Sequence, residues 1–462
     1  MRAARGRALG LLPMVMLVRG GEASPAPSFL PATVKAATTE AEARLIDLTT
    51  VLRLAGAQNL DVQIAAQRLE EARAAHRVAL EQFFPGLFPG LAYRRHDDLL
   101  QDTAGDLVDV HKGSYAPGVG LAAQTDVGGA LYGTRETRAL STASEHGLAA
   151  QRAESVLAAA QAYFDLARAQ AAVTVAEEAL RISREHEDQL HRAVGIGLAF
   201  RGEELRVRAE AGHNALALRQ TREQQRVAGI RLAQMLQLDP RIELRARDAE
   251  LVPLSLVPED ASLDSLVEQA LSARPEMSQE AARLAAARDA EAGVRYGPLF
   301  PTFSAQVFAG GLGGGRRGRP GAFGASQDYV LAVGWRIGPG GLFDAARVAE
   351  ARARLEGARL QAEKRRQGVA GEVTEAVARV ASLSDQIASG KEALAAAEET
   401  LRLSQQRKEF GVAAVLERIL AEQDLTRARM DYLSAVAEYD KAQYALARAV
   451  GQPTASPLLL AR

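Results

Sequence analysis

The histidines and paired carboxylates of this chain are the side chains that could bind a metal or transfer protons. His186 and His191 are five residues apart on a predicted helix, so they lie roughly 140° apart around it and do not converge on one ion. Adjacent glutamates such as Glu177 and Glu178 lie in a coiled-coil pattern, where they are most simply solvated charges. The other histidines have no partner at ligand spacing: His76, His96, His111, His146 and His213. The sequence therefore predicts no metal site and no acid–base pair.

Nucleophilic and cofactor chemistry also lacks its usual residues. The chain contains no cysteine, which excludes thiol nucleophiles, thiolate metal sites, disulfides and a lipidated N-terminal cysteine. It has no Gly-x-Ser-x-Gly elbow. The glycine-rich residues 310–324 lack the Lys-Ser or Lys-Thr of a phosphate loop, so we interpret them as an exposed loop. We predict that the protein is not an enzyme and needs no cofactor.

One spacing of glycine and glutamate occurs twice. Glu203 follows Gly197 by six residues, and Glu417 follows Gly411 by six residues. Helices commonly end at such a glycine, so each glutamate is predicted in the first turn of a helix that starts after a tight turn. The helix dipole favours an acid at that position. A plainly solvated glutamate is therefore one interpretation of both residues.

These two glutamates belong to a duplicated sequence. Residues 48–85 correspond to residues 263–301 with a shift of 215, and both copies reach a Phe-Pro step, at Phe84-Pro85 and Phe300-Pro301, one residue out of that register. Two copies of about 200 residues indicate a duplicated half rather than a solenoid. The sequence predicts that each half contains a helix, two strands, a very long helix and a returning helix.

The strands are predicted from alternation and the long helices from heptads. Tyr329, Leu331 and Trp335 alternate with small or polar residues, a pattern shared by soluble hairpins and by membrane barrel strands. Val373 and Val380 belong to a seven-residue apolar repeat, which requires partner helices. The predicted segments are a first repeat at 45–240 (strands about 87–127, long helix 131–194, return helix 200–237), a linker at 241–261, a second repeat at 262–452 (strands about 301–337, long helix 342–410, return helix 414–450) and a tail at 453–462.

The N-terminal residues have the pattern of an export signal. Arginines precede the apolar residues 9–18, and a small-x-small site follows at residues 21–23. We predict a signal peptide at residues 1–23 and an irregular arm at residues 24–44. A net charge of −1 gives no electrostatic reason to expect nucleic acid. No other apolar run approaches the ~20 residues of a membrane helix, so any membrane insertion would use strands.

The duplicated halves require partners. Two strands from each half make four, and a four-stranded sheet with open edges is not tolerated in lipid. A helix of about 100 Å also needs neighbours to cover its apolar stripe. The sequence therefore predicts an oligomer with a β end and a long α-helical body.

The duplicated order, the Phe-Pro steps and the helical hairpins that turn at glycine resemble the TolC-type outer-membrane efflux proteins, over about residues 45–452. The resemblance implies a homotrimer in the outer membrane of a Gram-negative bacterium. Twelve pooled strands would form a barrel in outer-membrane lipid, and the helices would form an α-barrel tunnel across the periplasm. Such a protein is the passive exit duct of a tripartite efflux or type I secretion system. Its partners would be a periplasmic adaptor and an inner-membrane pump or ABC transporter.

The resemblance also implies roles for particular residues. Glu203 and Glu417 would face the lumen at the narrow periplasmic entrance, where a ring of carboxylates favours cations. The family often has a second acid one turn later, where this chain has Leu420. The remaining assignments are hairpin-tip turns and adaptor contacts at Gly197, Phe200, Arg201, Gly411, Ala413 and Arg418, and membrane-interface aromatics at Tyr329 and Trp335.

A soluble periplasmic adaptor or scaffold is the alternative function. Such proteins are also rich in helical hairpins. An adaptor usually has one hairpin between two halves of a β domain, whereas this chain has two hairpins, each preceded by strands. That order favours the channel.

Overall fold

The structure is a computed structural model in which residues 44–247, 250–258, 260–316, 321–409 and 415–452 are described. The predicted signal peptide, nearly all of the predicted arm and the predicted tail lie outside these residues. Within them, no helix combines the length and apolar character needed to cross a membrane.

The first repeat contains two short helices, a group of strands and a long helical hairpin. It begins with strand β1 (Arg44–Ile46) and helices α1 (Leu48–Gln58) and α2 (Leu60–Glu81). The strands are β2 (Gly86–His96), β3 (Leu99–Gln101), β4 (Leu107–Asp109) and β5 (Lys112–Asp126). The first helical hairpin consists of α3 (Val127–Gly195), 69 residues long, and α4 (Arg201–Met235).

The second repeat has the same order. A short strand β6 (Leu244–Ala246) precedes it and pairs in parallel with β1. The repeat contains α5 (Leu263–Ala273), α6 (Pro275–Tyr296), a 3-10 turn (Gly297–Leu299), strands β7 (Thr302–Arg316) and β8 (Phe323–Gly334), and a second helical hairpin of α7 (Ala345–Glu409) and α8 (Val415–Val450). The predicted class, mainly α with a small β part and long helical hairpins, is confirmed. The interpretation of residues 310–324 as an exposed loop is wrong in part, because residues 310–316 belong to β7 and residues 323–324 to β8, where their backbones pair with each other.

The strands of both repeats join in one sheet. Its order is β2-β5-β7-β8, and every neighbouring pair is antiparallel. The two inner strands come from different repeats, so the sheet unites the halves. Strands β2 and β8 are its edges, and because three antiparallel steps separate them, they run in opposite directions.

Two details of the first strand pair differ from the pattern of the sequence. The loop expected between the strands contains a two-stranded extension, in which Leu99 pairs with Asp109 and Leu100 with Val108. Pro117 lies inside β5, where its missing N–H cannot bond a neighbour. The ladder to β7 includes Tyr115 and Gly118 but not the two residues between them.

The turns from sheet to long helix use an aspartate in each repeat. Asp126 Oδ1 accepts a hydrogen bond from the Gly129 N–H at 3.0 Å, which caps α3. Asp344 Oδ1 accepts one from the Arg347 N–H at 3.1 Å at the start of α7. An aspartate there satisfies amides that have no partner within the helix. The α3 start also packs closely on the 3-10 turn, since a Cβ on Gly128 would lie 2.0 Å from the Gly297 carbonyl oxygen.

The main apolar core lies where α1 packs against the middle of α3 and the end of α4. Val51 and Ala55 of α1, Leu166 of α3 and Leu232 of α4 are fully buried there. A second apolar cluster in the second repeat joins α5, α7 and α8, including Val373 and Leu446. Both cores use the heptad positions that the sequence repeats, so the apolar stripes of the long helices are buried where the short helices cover them.

A buried ionic cluster, which we call the Arg274 cluster, lies at the break between α5 and α6. It consists of Arg274, Glu276, Arg365, Glu372 and Arg448. Burial by itself raises the pKa of the Glu276 carboxyl, but hydrogen bonds from Arg274 outweigh it and hold that pKa below its usual value. The cluster therefore joins the α6 start to α7 and α8 through ionised side chains.

Candidate functional site at the hairpin turns

The first helical hairpin turns at a glycine with a left-handed backbone. Gly197 has φ +77°, and its N–H donates to the Val194 carbonyl at 3.0 Å while the Leu198 N–H donates to the Ala193 carbonyl at 2.8 Å. This pair of bonds is a glycine-terminated helix end, which a residue with a Cβ would strain. The turn of the second hairpin, including Gly411 and Ala413, lies outside the described residues.

Within the chain, the two hairpins pack together close to these turns. Leu190 of α3, Val207 of α4 and Ile419 of α8 form a small buried cluster. Ala199 and Val415 pack at its edge. The starts of both return helices are therefore held side by side by apolar contacts.

Glu203 and Glu417 occupy the first turns of the two return helices. Glu203 is half-buried, its N–H donates to the Phe200 carbonyl at 2.9 Å, and Glu417 is exposed. Both positions benefit from the positive end of a helix dipole. The structure thus places both glutamates at the same end of the hairpins, as their spacing predicts, and their role at a gate stays a prediction.

The apolar residues of the first turn are strongly exposed. Leu198 keeps 79% of its surface and Phe200 74%, and Ile196 is similarly open. Arg201 is exposed beside them. Grouped apolar residues on a helical turn are a typical partner-binding surface.

Arg418 differs from the other residues assigned to adaptor contact. Its Nε donates to Glu422 at 2.8 Å, and both side chains are largely buried. His186 of α3, which is 1% exposed, places its Nδ1 3.9 Å from the same carboxylate. Arg418 thus pairs with Glu422 within α8, and the contact from α8 to α3 beneath the turns is the one between Glu422 and His186. The i,i+4 spacing of Arg418 and Glu422 is visible in the sequence, whereas the approach of His186 is not, because it lies far away along the chain.

The two histidines of α3 have separate partners. His191 Nδ1 lies 2.7 Å from Glu204 on α4, whereas His186 faces Glu422 on α8. Gln423 donates to Glu210 at 2.8 Å and adds a second polar link between α8 and α4. Near these links, a cavity of about 230 Å³ lies among the helices. Its lining mixes apolar side chains with polar ones such as Glu210 and Glu422 and shows no catalytic grouping.

Between β2 and β5, around the short strands β3 and β4, lies one cluster of potential ligands that was not predicted from the sequence. Oxygen and nitrogen atoms of Asp98, Asp109 and His111 lie within 4.8 Å of one another. His111 Nδ1 already lies 3.1 Å from Asp97, which in turn pairs with Arg95 at 2.6 Å. Exposed charges on a loop commonly cluster in this way, so we describe it as an ion-paired loop beyond the sheet.

The two aromatic residues assigned to the membrane interface are both exposed. Trp335 directly follows β8, and its indole N–H donates to the Leu299 carbonyl at 3.2 Å at the junction with the helices. Tyr329 lies within β8, about 20 Å along the strand at ~3.3 Å per residue. Leu331 and Val333 between them are exposed as well. The geometry fits an apolar strip with Trp335 at its helical end.

Comparison with known proteins shows which family and which folds this chain resembles. Residues 266–452 match the family described as "Outer membrane efflux protein". The outer-membrane channel OprN has a TM-score of 0.72 and 21% identity, covering 88% of this chain and 91% of that one. The outer-membrane protein VceC of Vibrio cholerae has a TM-score of 0.72 and 19% identity, covering 88% and 96%. The MtrE channel of Neisseria gonorrhoeae has a TM-score of 0.69 and 19% identity, covering 88% and 89%.

No curated protein sequence matches the chain closely enough to count as a relative. The solved structures agree with this chain in fold over nearly all of their length and of its own. The matched family is one of efflux proteins rather than of enzymes. The predicted resemblance to the TolC-type outer-membrane efflux proteins is therefore confirmed.

Proposed function

We propose that this chain is an outer-membrane channel, the passive exit duct of a tripartite efflux or type I secretion system. In this proposal three copies pool their strands into a barrel in outer-membrane lipid, and their helical hairpins form a tunnel in the periplasm. The observation that carries the proposal is the open four-stranded sheet joined directly to two long helical hairpins. The soluble adaptor or scaffold is not favoured, because the matched family and folds are those of outer-membrane efflux proteins.

The direction of the edge strands supports the pooling of sheets. Unpaired backbone N–H and C=O groups are costly in lipid, so the edges β2 and β8 need partners. Because these edges run in opposite directions, β8 of one copy can join β2 of the next in an antiparallel ladder. Four strands from each of three copies give a closed barrel of twelve, within the range known for membrane barrels.

The apolar surface of the sheet supports a lipid environment. Leu87 and Leu91 of β2 and Leu331 and Val333 of β8 are all strongly exposed in the single chain. On a soluble protein such a surface would be an aggregation site. In a barrel it would face hydrocarbon, with polar groups confined to the ends and the interior.

Cysteine cross-linking tests the pooled sheet, since the natural chain has no cysteine to interfere. One cysteine replaces Leu91 on β2, and a second is moved along β8 from residue 325 to 333. We expect at least one pair to give covalent dimers and trimers in outer-membrane fractions, and the detergent-extracted protein to have the mass of three chains. As a control, cysteines at Leu121 and Val307, which face each other within one sheet, should link without raising the mass. A soluble monomer with no intermolecular product at any β8 position would refute the proposal.

The paired glutamates support an acidic entrance to this duct. In a trimer Glu203 and Glu417 would supply two carboxylates per copy, a charge that attracts and holds multivalent cations. We expect Glu203→Gln with Glu417→Gln to weaken the block of single-channel current by a trivalent cation such as hexamminecobalt. The control is Glu81→Gln, which should leave the block unchanged. Glu81 is an exposed glutamate, the last residue of α2, and lies next to the sheet rather than at the hairpin turns. Equal block in all variants would rule out the gate assignment.

The exposed apolar turn supports docking of a periplasmic adaptor. Leu198 and Phe200 project from the first hairpin next to Arg201, and no element among the described residues covers them. We expect Leu198→Asp with Phe200→Asp to abolish co-purification with the adaptor while the trimer mass and conductance persist. Leu205→Asp, another exposed apolar residue farther along α4, is the matched control. Loss of binding in the control alone would move the contact away from the turn.

A further inference from the structure

The linker between the repeats is held by side chains from two helices. Between β6 and α5, the described residues 250–258 form no helix or strand. On one side, Gln170 of α3 accepts a hydrogen bond from the Ala246 N–H at 3.0 Å. On the other, Asp440 Oδ1 of α8 accepts from the Leu254 N–H at 2.8 Å, and Gln443 Oε1 accepts from the Leu256 N–H at 3.2 Å. The linker is thus attached to α8 through two alternate backbone amides.

Asp440 is an unusual residue for this task. It is 1% exposed, and within the described part of the chain its Oδ2 atom is buried without a hydrogen-bond partner. A carboxylate that is removed from water with a single hydrogen bond is strongly disfavoured in its charged form. Gln443, one turn away, also accepts a hydrogen bond from the linker, but its side chain is a neutral amide. It donates a second bond to the Tyr439 hydroxyl at 2.9 Å.

The charged groups around Asp440 do not compensate for its burial. On α8 itself, Lys441 is bound to Asp165 of α3 and to Glu438. Tyr444, also on α8, is the titratable side chain that interacts with Asp440, and it would repel it if ionised. The linker presents backbone amides to the carboxyl rather than a cation.

We propose that Asp440 is a proton-dependent latch, which holds the inter-repeat linker on α8 while its carboxyl is protonated and loosens it when the carboxyl ionises. The latch rests on the buried position of the carboxyl and its bond to Leu254. It does not depend on the channel function proposed above. Its effect is to make the mobility of the segment that joins the halves depend on pH.

The direction of the dependence follows from linkage. Burial raises the pKa of Asp440 from 3.8 to about 7 in the closed state. When the linker opens and water reaches the carboxyl, the pKa returns toward its ordinary value. The closed state therefore binds the proton more tightly, and its advantage is complete below the ordinary value and lost as pH rises toward the raised one. Above the raised pKa, a further increase in pH has no effect on the latch.

Hydrogen exchange of the detergent-solubilised full chain tests the latch, with peptides that cover residues 250–258. After correction for the intrinsic exchange rate, we expect wild-type protection of this segment to fall at least tenfold between pH 5 and pH 7. In Asp440→Asn, which keeps the acceptor for Leu254 but cannot ionise, protection should stay constant over this range. Gln443→Ala, which removes one linker bond without removing the acid, should be less protected at every pH but retain the wild-type slope.

Constant wild-type protection from pH 5 to pH 8 would overturn the proposal, whether or not the variants fold. A slope that persists unchanged in Asp440→Asn would also overturn it, because another group would then carry the dependence. Peptides that cover residues 394–405 of α7, which pack against Leu425 of α8 in a cluster that contains no linker residue, give the internal reference for global opening.

Discussion

The Arg274 cluster gives the sharpest test of which ion pairs stabilise this fold. Arg274 has a fully buried side chain, donates to Glu372 at 2.6 Å and to Glu276 at 2.9 Å, and lies at the start of α6. The change Arg274→Met keeps much of the apolar volume and removes the charge. It leaves Glu276, which is 11% exposed, with fewer donors in a site that remains closed to water.

The expected cost follows from what remains after the change. Removing one partner of a buried ion pair typically costs about 3–5 kcal/mol, because the other charge is left without compensation. Here Arg448 still donates to Glu276 at 2.9 Å, and Arg365 lies 3.4 Å away. Glu372 is more than a third exposed, so its lost bond is screened by solvent. We therefore expect a loss of about 2–3 kcal/mol in the free energy of unfolding, below the full value for an isolated buried pair.

The matched control is an ion pair of similar length at the surface. Arg241 binds Asp239 with both ends of its guanidinium group, at 2.8 Å for the shortest contact, but 89% of its side chain is exposed. We expect Arg241→Met to leave the unfolding midpoint unchanged, since solvent screens such pairs. Urea unfolding of the detergent-solubilised protein, followed by circular dichroism at 222 nm, measures both variants.

Acidification supplies an independent check of the same reasoning. The pKa of Glu276 is lowered in the folded state, so its stabilising contribution is present above the ordinary glutamate pKa of 4.5 and is lost as pH falls through the lowered value. The wild type and Arg274→Met should therefore differ most near neutral pH and converge as the pH falls through the lowered pKa of Glu276. If Arg274→Met is no less stable than Arg241→Met at pH 7, burial does not decide the value of these pairs, and the reasoning is wrong.

Two further predictions concern backbone packing and helix ends. Gly128→Ala should lower the unfolding midpoint strongly, because the new Cβ would meet the Gly297 carbonyl. The control Gly133→Ala has open space around it and should be neutral or stabilising by up to about 1 kcal/mol. Thermal melts compare the two variants, and equal melting temperatures would contradict the close packing at Gly128. Asn59→Ala should cost about 1 kcal/mol because Asn59 Oδ1 accepts from the Asp61 N–H at 2.8 Å as the cap of α2; a change below about 0.3 kcal/mol in urea unfolding would show that the cap does not matter here.

The class of fold could be predicted because its signals are periodic and local. Heptads such as Val373 and Val380 define a helical stripe, and the alternation around Leu331 defines a strand, each within a short window. The repetition of residues 48–85 as residues 263–301 then indicates that the same order of elements occurs twice. Even the turn at Gly197 can be predicted from one residue, because its left-handed backbone conformation is unfavourable for residues other than glycine.

The details of the site could not be predicted, because they depend on residues that meet only after folding. His186 and Glu422 are on different hairpins, and no spacing along the chain relates them. Arg418 shows the same limit: its i,i+4 spacing to Glu422 is visible in the sequence, but the burial of both side chains depends on which face of α8 packs inward. The burial of Asp440 likewise follows from the path of the linker over α8, and an irregular segment has no periodic signal.

The duplicated halves use different side chains where their short helices meet their return helices. Under the shift of 215, Asn59 corresponds to Arg274, and both stand at the break between two short helices. Asn59 Nδ2 donates to the carbonyl of Met235, the last residue of α4, at 3.4 Å. Arg274 reaches the same place in the second repeat through glutamates that also bind Arg448, in the last turn of α8. The same junction is therefore held by a neutral hydrogen bond in one half and by ionised groups in the other. Because the neutral bond does not titrate in acid, whereas the pKa of Glu276 in the ionic cluster is held below its ordinary value and its contribution is lost as pH falls through that lowered value, acid should weaken the second repeat before the first.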